Sequence, residues 1–91
     1  MSHVDKQVHM MSAVTEVLKF RKGNPKVDNE KMMQHISNMA KNIRNQQTKI
    51  GMVAAASKAL SIIEIEPNLT DKEVMKKVMN ELPNILDNMK E

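Results

Sequence analysis

Ile50-Gly51-Met52-Val53-Ala54-Ala55-Ala56-Ser57-Lys58-Ala59-Leu60-Ser61-Ile62-Ile63 is the most apolar run of the chain, and its small residues decide what it can become. Ala and Gly let neighbouring backbones approach closely, so a helix over this run is the natural buried element, with the flanking segments packed around it. Upstream, Met32, Ile36, Met39, Ala40 and Ile43 form one helical stripe, followed by the polar Arg44-Asn45-Gln46-Gln47-Thr48. At about 100° per residue, Met52, Val53, Leu60 and Ile63 point to roughly the opposite side from that stripe. A straight helix would have to bury two opposed faces. The pattern therefore predicts a break near Asn45 to Thr48, with Thr48 capping a third helix that runs to about Ile63. The alternative over 28–64 is one merged helix, which in so short a chain implies an intertwined dimer.

Toward the N-terminus, a first helix is expected from about Ser2 to Lys22. Val4, Val8, Met11, Val14 and Leu18 recur at spacings of three and four. Ser2 is an acceptable N-cap, and Lys19, Arg21 and Lys22 suit the negative end of the helix dipole. Gly23-Asn24-Pro25 then stops the helix, Gly23 by adopting the left-handed C′ conformation and Pro25 by its missing N–H. The second helix starts at Asp28, a good N-cap, with Val27 and Met32 as a hydrophobic staple.

Beyond the apolar run, Glu64-Ile65-Glu66-Pro67-Asn68 reads as a short extended connection. Thr70-Asp71-Lys72-Glu73 is a capping box with Leu69 and Val74 as its staple. Val74, Met75, Val78, Met79, Leu82, Ile85, Leu86 and Met89 then share one arc that continues unshifted past Pro83. Pro83 falls opposite that arc, so one helix bent at Pro83 is expected from Asp71 to about Lys90. Ile62-Ile63-Glu64-Ile65 has a β-branched bias but no partner run to pair with. The fold class is thus all-α: residues 1–91 form one domain, a four-helix up-and-down bundle that dimerisation is expected to complete.

Composition narrows the function classes. Ninety-one residues bury a modest fraction of their surface, which makes help from a partner plausible. With no Cys there is no disulfide framework or thiolate metal site, and a reducing cytoplasm is the default compartment. Met1-Ser2-His3-Val4-Asp5-Lys6 lacks a signal-peptide layout, and Ser57, Lys58 and Ser61 interrupt the apolar run well short of a membrane span. Ten Met stand against one aromatic residue. Met fills irregular core gaps and also serves adaptable interfaces, and in Met10-Met11 and Met32-Met33 adjacent residues cannot face the same way. Those four, with the small-residue face Gly51, Ala55 and Ala59, are the candidate protein interface, a second copy of the chain included.

Charge supplies the competing reading. Residues 1–50 carry nine Lys or Arg against four Asp or Glu, residues 51–91 five against seven, so a basic half precedes an acidic one. Such asymmetry steers an acidic partner or lets two copies dock antiparallel. Lys19, Arg21, Lys22, Lys26, Lys41, Arg44 and Lys49 are candidate phosphate contacts for nucleic acid, with Asn42, Asn45, Gln46 and Gln47 near enough in sequence to touch bases. Against that reading, the chain offers no stacking aromatic for single strands, no zinc-finger spacing and no compact helix-turn-helix, and its net charge is only +3.

An enzyme is not expected. His3 and His9 lie six apart rather than four, His35 has no carboxylate at a useful offset in its own helix, and no nucleophile motif surrounds Ser12, Ser37, Ser57 or Ser61. Two glycines cannot make a phosphate loop, and Gly51 reads better as a point of close helix contact. No metal, cofactor or membrane is expected. The expected function is a small non-enzymatic module that binds another protein or itself, with a basic nucleic-acid-binding regulator as the alternative.

Overall fold

The computed structural model describes residues 3–24 and 26–88, with side chains from Lys6 onward. Four helices account for nearly all of it: α1 (His3–Gly23), α2 (Asn29–Ala40), α3 (Gln46–Ile65) and α4 (Asp71–Asn88). No strand occurs among the described residues, so the chain is all-α.

The helix starts follow local chemistry. At α2 the Asp28 carboxylate accepts from the backbone N–H of Lys31 at 2.8 Å, as its sequence signature predicts. At α4 the capping box is complete in both directions. The Glu73 N–H donates to Thr70 Oγ1 at 3.2 Å, and the Thr70 N–H donates back to Glu73 Oε1 at 3.0 Å. The two Thr70 donors, backbone first and hydroxyl second, hold the Glu73 carboxyl below the ordinary glutamate value.

Thr48 is not the cap of α3. Asn45 is: its side chain accepts from the Thr48 N–H at 2.9 Å and lies 3.3 Å from the Thr48 hydroxyl. Thr48 sits fully buried in the first turn, as the residue that is capped. Asn outranks Thr as a cap, and placing it three residues upstream leaves the Thr methyl free to join the core. The chain ends α2 at Ala40 and turns through Lys41–Ile43, so the merged helix over 28–64 does not form. Separate helices remove the problem of opposed faces, because each rotates its own stripe toward one common core.

Two other boundaries and the buried face of α1 differ from expectation. Gly23 is the last residue of α1, and no described glycine has positive φ; instead the Asn24 N–H and side-chain amide both donate to the Phe20 carbonyl. Pro25 and the Ser2 cap lie outside the described residues. Glu64 and Ile65 belong to α3, and the connection begins at Glu66, whose N–H bonds to the Ile62 carbonyl at 2.9 Å. In α1 the buried stripe is Met10, Ala13, Val14, Val17 and Leu18, so Val14 and Leu18 face inward as expected but Val8 does not.

One core draws on all four helices. From α3 it takes Gly51, Met52, Ala55, Ala56, Ala59, Leu60 and Ile63; from α2, Met32, Ile36 and Ala40; from α4, Val74, Val78, Leu82 and Leu86. α1 and α3 each pack against the other three helices, whereas α2 and α4 do not meet among the described residues. Gly51 makes the α1–α3 contact close, since a Cβ there would lie 3.1 Å from both Cγ and Sδ of Met10. Pro83 lies inside α4 on its exposed side. An interior proline costs a helix about 3 kcal/mol. Leu86 is buried beyond it and contributes roughly 1.5–3 kcal/mol, with half-buried Ile85 adding to that, so the helix continues.

Polar contacts tie the helix ends together. Lys22 Nζ at the end of α1 lies 2.7 Å from Asp71 Oδ2 at the start of α4, and Lys77 Nζ lies 3.7 Å from Glu66 Oε1. The Asn29 amide at the start of α2 donates to Glu64 near the end of α3. These pairs are exposed and contribute little energy each, but they fix which helix ends are neighbours.

Candidate protein-binding groove

The face of α1 opposite its core stripe is not a plain solvated surface. Gln7, Val8, Met11, Ser12, Thr15, Glu16 and Lys19 step along it at alternating spacings of one and three, which is one side of a helix over about three turns. Together with Met39 of α2 and with Met79 and Leu82 of α4 they line an open groove of about 590 Å³. It forms because α2 and α4 flank α1 without meeting each other, leaving its outer side as a floor between two walls.

The lining is chemically apolar although its sequence is mixed. The Ser12 hydroxyl donates to the Val8 carbonyl and the Thr15 hydroxyl to the Met11 carbonyl, each at 3.0 Å, so both donors are satisfied by their own helix. Val8 and Met79 remain 58% and 55% exposed, large values for apolar side chains in a chain this size. Charge is confined to one end. There Glu16 Oε1 lies 3.1 Å from His35 Nε2, and Lys19 completes the rim. The His35 ring also stacks on Phe20, with centroids 4.3 Å apart and planes at 25°. His35 thus has its carboxylate partner after all, supplied by α1 rather than by its own helix.

A second depression of about 490 Å³ lies between α2 and the outer side of α3, lined by Met33, Gln46, Lys49, Ile50, Val53, Ala54 and Ser57. Ile50 is 44% exposed in it.

The structure divides the sequence-derived interface candidates. Met10, Met32, Gly51, Ala55 and Ala59 are buried in the chain's own core and present no surface. The small face of α3 is closed by its neighbours instead, with Met10 of α1 lying against Gly51. Met11 and Met33 are half-buried and line the two separate grooves. Met39, Met79 and Val8 were absent from the candidate set. The expected stripes assign all three to a core face; in the structure Val8 and Met79 are exposed, and Met39 is half-buried between the core and the groove.

The basic candidates do not gather on one face. Lys19 lies on the groove rim, Arg21 and Lys22 beside Asp71, and Lys26 near Phe20 and Val27, while Lys49 lines the second depression. Lys26 precedes α2, and Lys41 and Arg44 follow it, so the length of that helix, about 18 Å, separates the two groups. Among the described residues no cluster of three His, Asp or Glu side chains could hold a metal ion, and no helix is long and apolar enough to cross a membrane. No protein-family model matches the chain, and neither the curated proteins nor the solved structures compared with it gave a match.

Proposed function

We propose that this chain is a small, non-enzymatic protein-interaction module whose groove along α1 receives an amphipathic helix of another protein. The observation that carries the reading is the apolar floor and walls of Val8, Met11, Met39 and Met79, left open along about three helical turns. Such a groove suits apolar anchors at positions i, i+4 and i+7 of an incoming helix, and Met walls adapt to side chains of different shape. Glu16 and Lys19 at one end offer a polar rim that would set its direction. The contacts between helix ends fit an up-and-down bundle, which is the rigid scaffold such a groove needs.

Self-association belongs to the same reading, although the buried Gly51, Ala55 and Ala59 cannot supply its surface. Nucleic-acid binding ranks below it, because the basic residues divide between two ends and Lys22 is already engaged by Asp71.

Affinity purification from native extract with nuclease present, using wild type, Val8→Glu and Met79→Glu in parallel, tests the proposal. Both residues are exposed, so the variants should fold normally. Protein partners that survive nuclease and are lost with either variant are the expected result. A partner profile unchanged by both variants overturns the groove as the binding element.

A further inference from the structure

α3 is the helix whose charges run the wrong way. α1 ends in Arg21 and Lys22, α2 begins with Glu30, and α4 begins with Asp71 and Glu73, each matching the helix dipole. α3, unlike α2 and α4, has no acid in its first turn, and like them it has no base in its last. Lys49 instead stands near its positive N-terminus, and Glu64 and Glu66 stand at its negative C-terminus.

Its outer side is equally out of place on a solvated helix. Ile50, Ala54, Ser57, Ser61 and Glu64 follow one another at spacings of four, three, four and three, the seam of a coiled coil, with no charge before Glu64. Ala54, Ser57 and Ser61 are small enough to let a second helix axis approach to about 8 Å, the near end of the usual range. The exposed large residues of α3 bracket that seam, Ile50 at 44% and Ile65 at 77%.

We infer that a second copy of this chain docks antiparallel on the outer face of α3, along Ile50, Ala54, Ser57 and Ser61, about a two-fold axis near Ser57. The inference rests on the self-association half of the proposed function and leaves the α1 groove free. The axis near Ser57 sets Ile50 of each copy against Ile65 of the partner subunit, so both exposed isoleucines are covered at each end of the seam. It also sets Lys49 beside Glu64 of the partner subunit. Each reversed charge then meets an opposite charge and an opposite dipole end, whereas a parallel pairing would align like with like. Glu64 takes one donor from Asn29 and keeps acceptor capacity for that lysine. Met33, half-buried beside Ile50, extends the apolar patch onto α2.

Size exclusion with light scattering, run from micromolar to millimolar chain concentration, tests this together with circular dichroism to confirm folding. Wild type should pass from one chain to two, and Ser57→Arg and Ser61→Arg, both at exposed positions, should stay at one with unchanged helicity. Lys49→Glu and Glu64→Lys should each weaken the dimer about tenfold. The double charge swap should restore it, since the pair re-forms with its signs exchanged. Lys49→Glu carries a second signature: it matches the dipole of the isolated helix, so the monomer should melt higher while the dimer weakens. A one-chain mass for wild type throughout overturns the inference, as does a dimer that survives Ser57→Arg. Failure of the double swap to restore pairing overturns the antiparallel register. Met79→Glu should dimerise normally; loss of the dimer in that variant alone would seat the second copy in the α1 groove and overturn the α3 surface.

Discussion

Replacing Gly51 by Ala sets two effects of similar size against each other. Within a helix the change gains about 0.8–1 kcal/mol, because Gly loses more backbone freedom on folding than Ala. Against that, the new methyl would stand 3.1 Å from Met10 Cγ and Sδ, inside the roughly 3.5–4.0 Å at which such atoms attract. Met10 is fully buried, so it must give way within the core. Overpacking of this kind costs about 1–3 kcal/mol, and a flexible thioether places it at the low end. Gly51→Ala alone is therefore expected to be neutral or destabilising by up to about 1 kcal/mol. Met10→Ala should cost about 2–5 kcal/mol, as other large-to-small changes in cores do. In the Met10→Ala background the clash is gone and Gly51→Ala should stabilise by about 1 kcal/mol or more, since the methyl also fills part of the space left. Urea unfolding followed by circular dichroism, over the four corners of the cycle, measures the coupling. Gly51→Ala raising stability equally in both backgrounds would refute the close α1–α3 contact.

Thr70→Ala should lower stability by roughly 0.5–2 kcal/mol, the usual cost of a lost N-cap, and an unchanged urea midpoint would remove Thr70 from that role. The bonds from Thr70 depress the Glu73 carboxyl, so its contribution is present above the unfolded value of about 4.3 and is lost as pH falls through the lower folded value. The stability difference between wild type and Glu73→Gln should therefore shrink on acidification; a difference independent of pH contradicts the charge-assisted box. A random DNA duplex at low salt should show no micromolar binding by fluorescence anisotropy, whereas steeply salt-dependent binding that weakens in Lys22→Ala and Arg44→Ala would restore the nucleic-acid reading.

Where the sequence carried a one-face pattern or a local cap, it was legible. Asp28 and the Thr70–Glu73 box act within four residues of chain and were read correctly, as was the buried arc of Val74, Val78, Leu82 and Leu86 in α4, although Met79 of the expected arc is exposed. α1 was harder because it is apolar on two sides. Val14 and Leu18 fit both the expected stripe and the core, but the stripe continues through Met11 and Val8 to the outer groove, while the core turns toward Met10 and Ala13. Periodicity cannot choose between two apolar faces of one helix; the neighbours choose. Thr48 misled for a related reason, since Asn45 and Thr48 are both acceptable caps and burial selects the residue with the methyl to be the inner one. Of the groove's residues only Met11 and Lys19 were among the candidates: Val8 was read as core, and the walls come from helices more than 20 residues from Met11 in sequence.

The distribution of methionine follows from the choice of α3 as the central helix. Gly51, Ala55, Ala56 and Ala59 are all buried and let neighbouring side chains approach the α3 backbone closely. Met10, Met32 and Met52 are all fully buried, flexible side chains suited to such a core, and Met10 lies directly against Gly51. The one Phe is accordingly held outside the small-residue layer, half-buried and stacked on His35. The same residue type then recurs where the bundle opens: Met11, Met39 and Met79 border the groove on α1, and Met33 borders the depression beside α3. At a surface, the flexibility that lets Met fill an uneven core lets it mould to an incoming helix without demanding one fixed shape. The chain thus uses methionine both against the small residues of its core and along its open grooves, which is the surface chemistry the proposed helix-binding role requires.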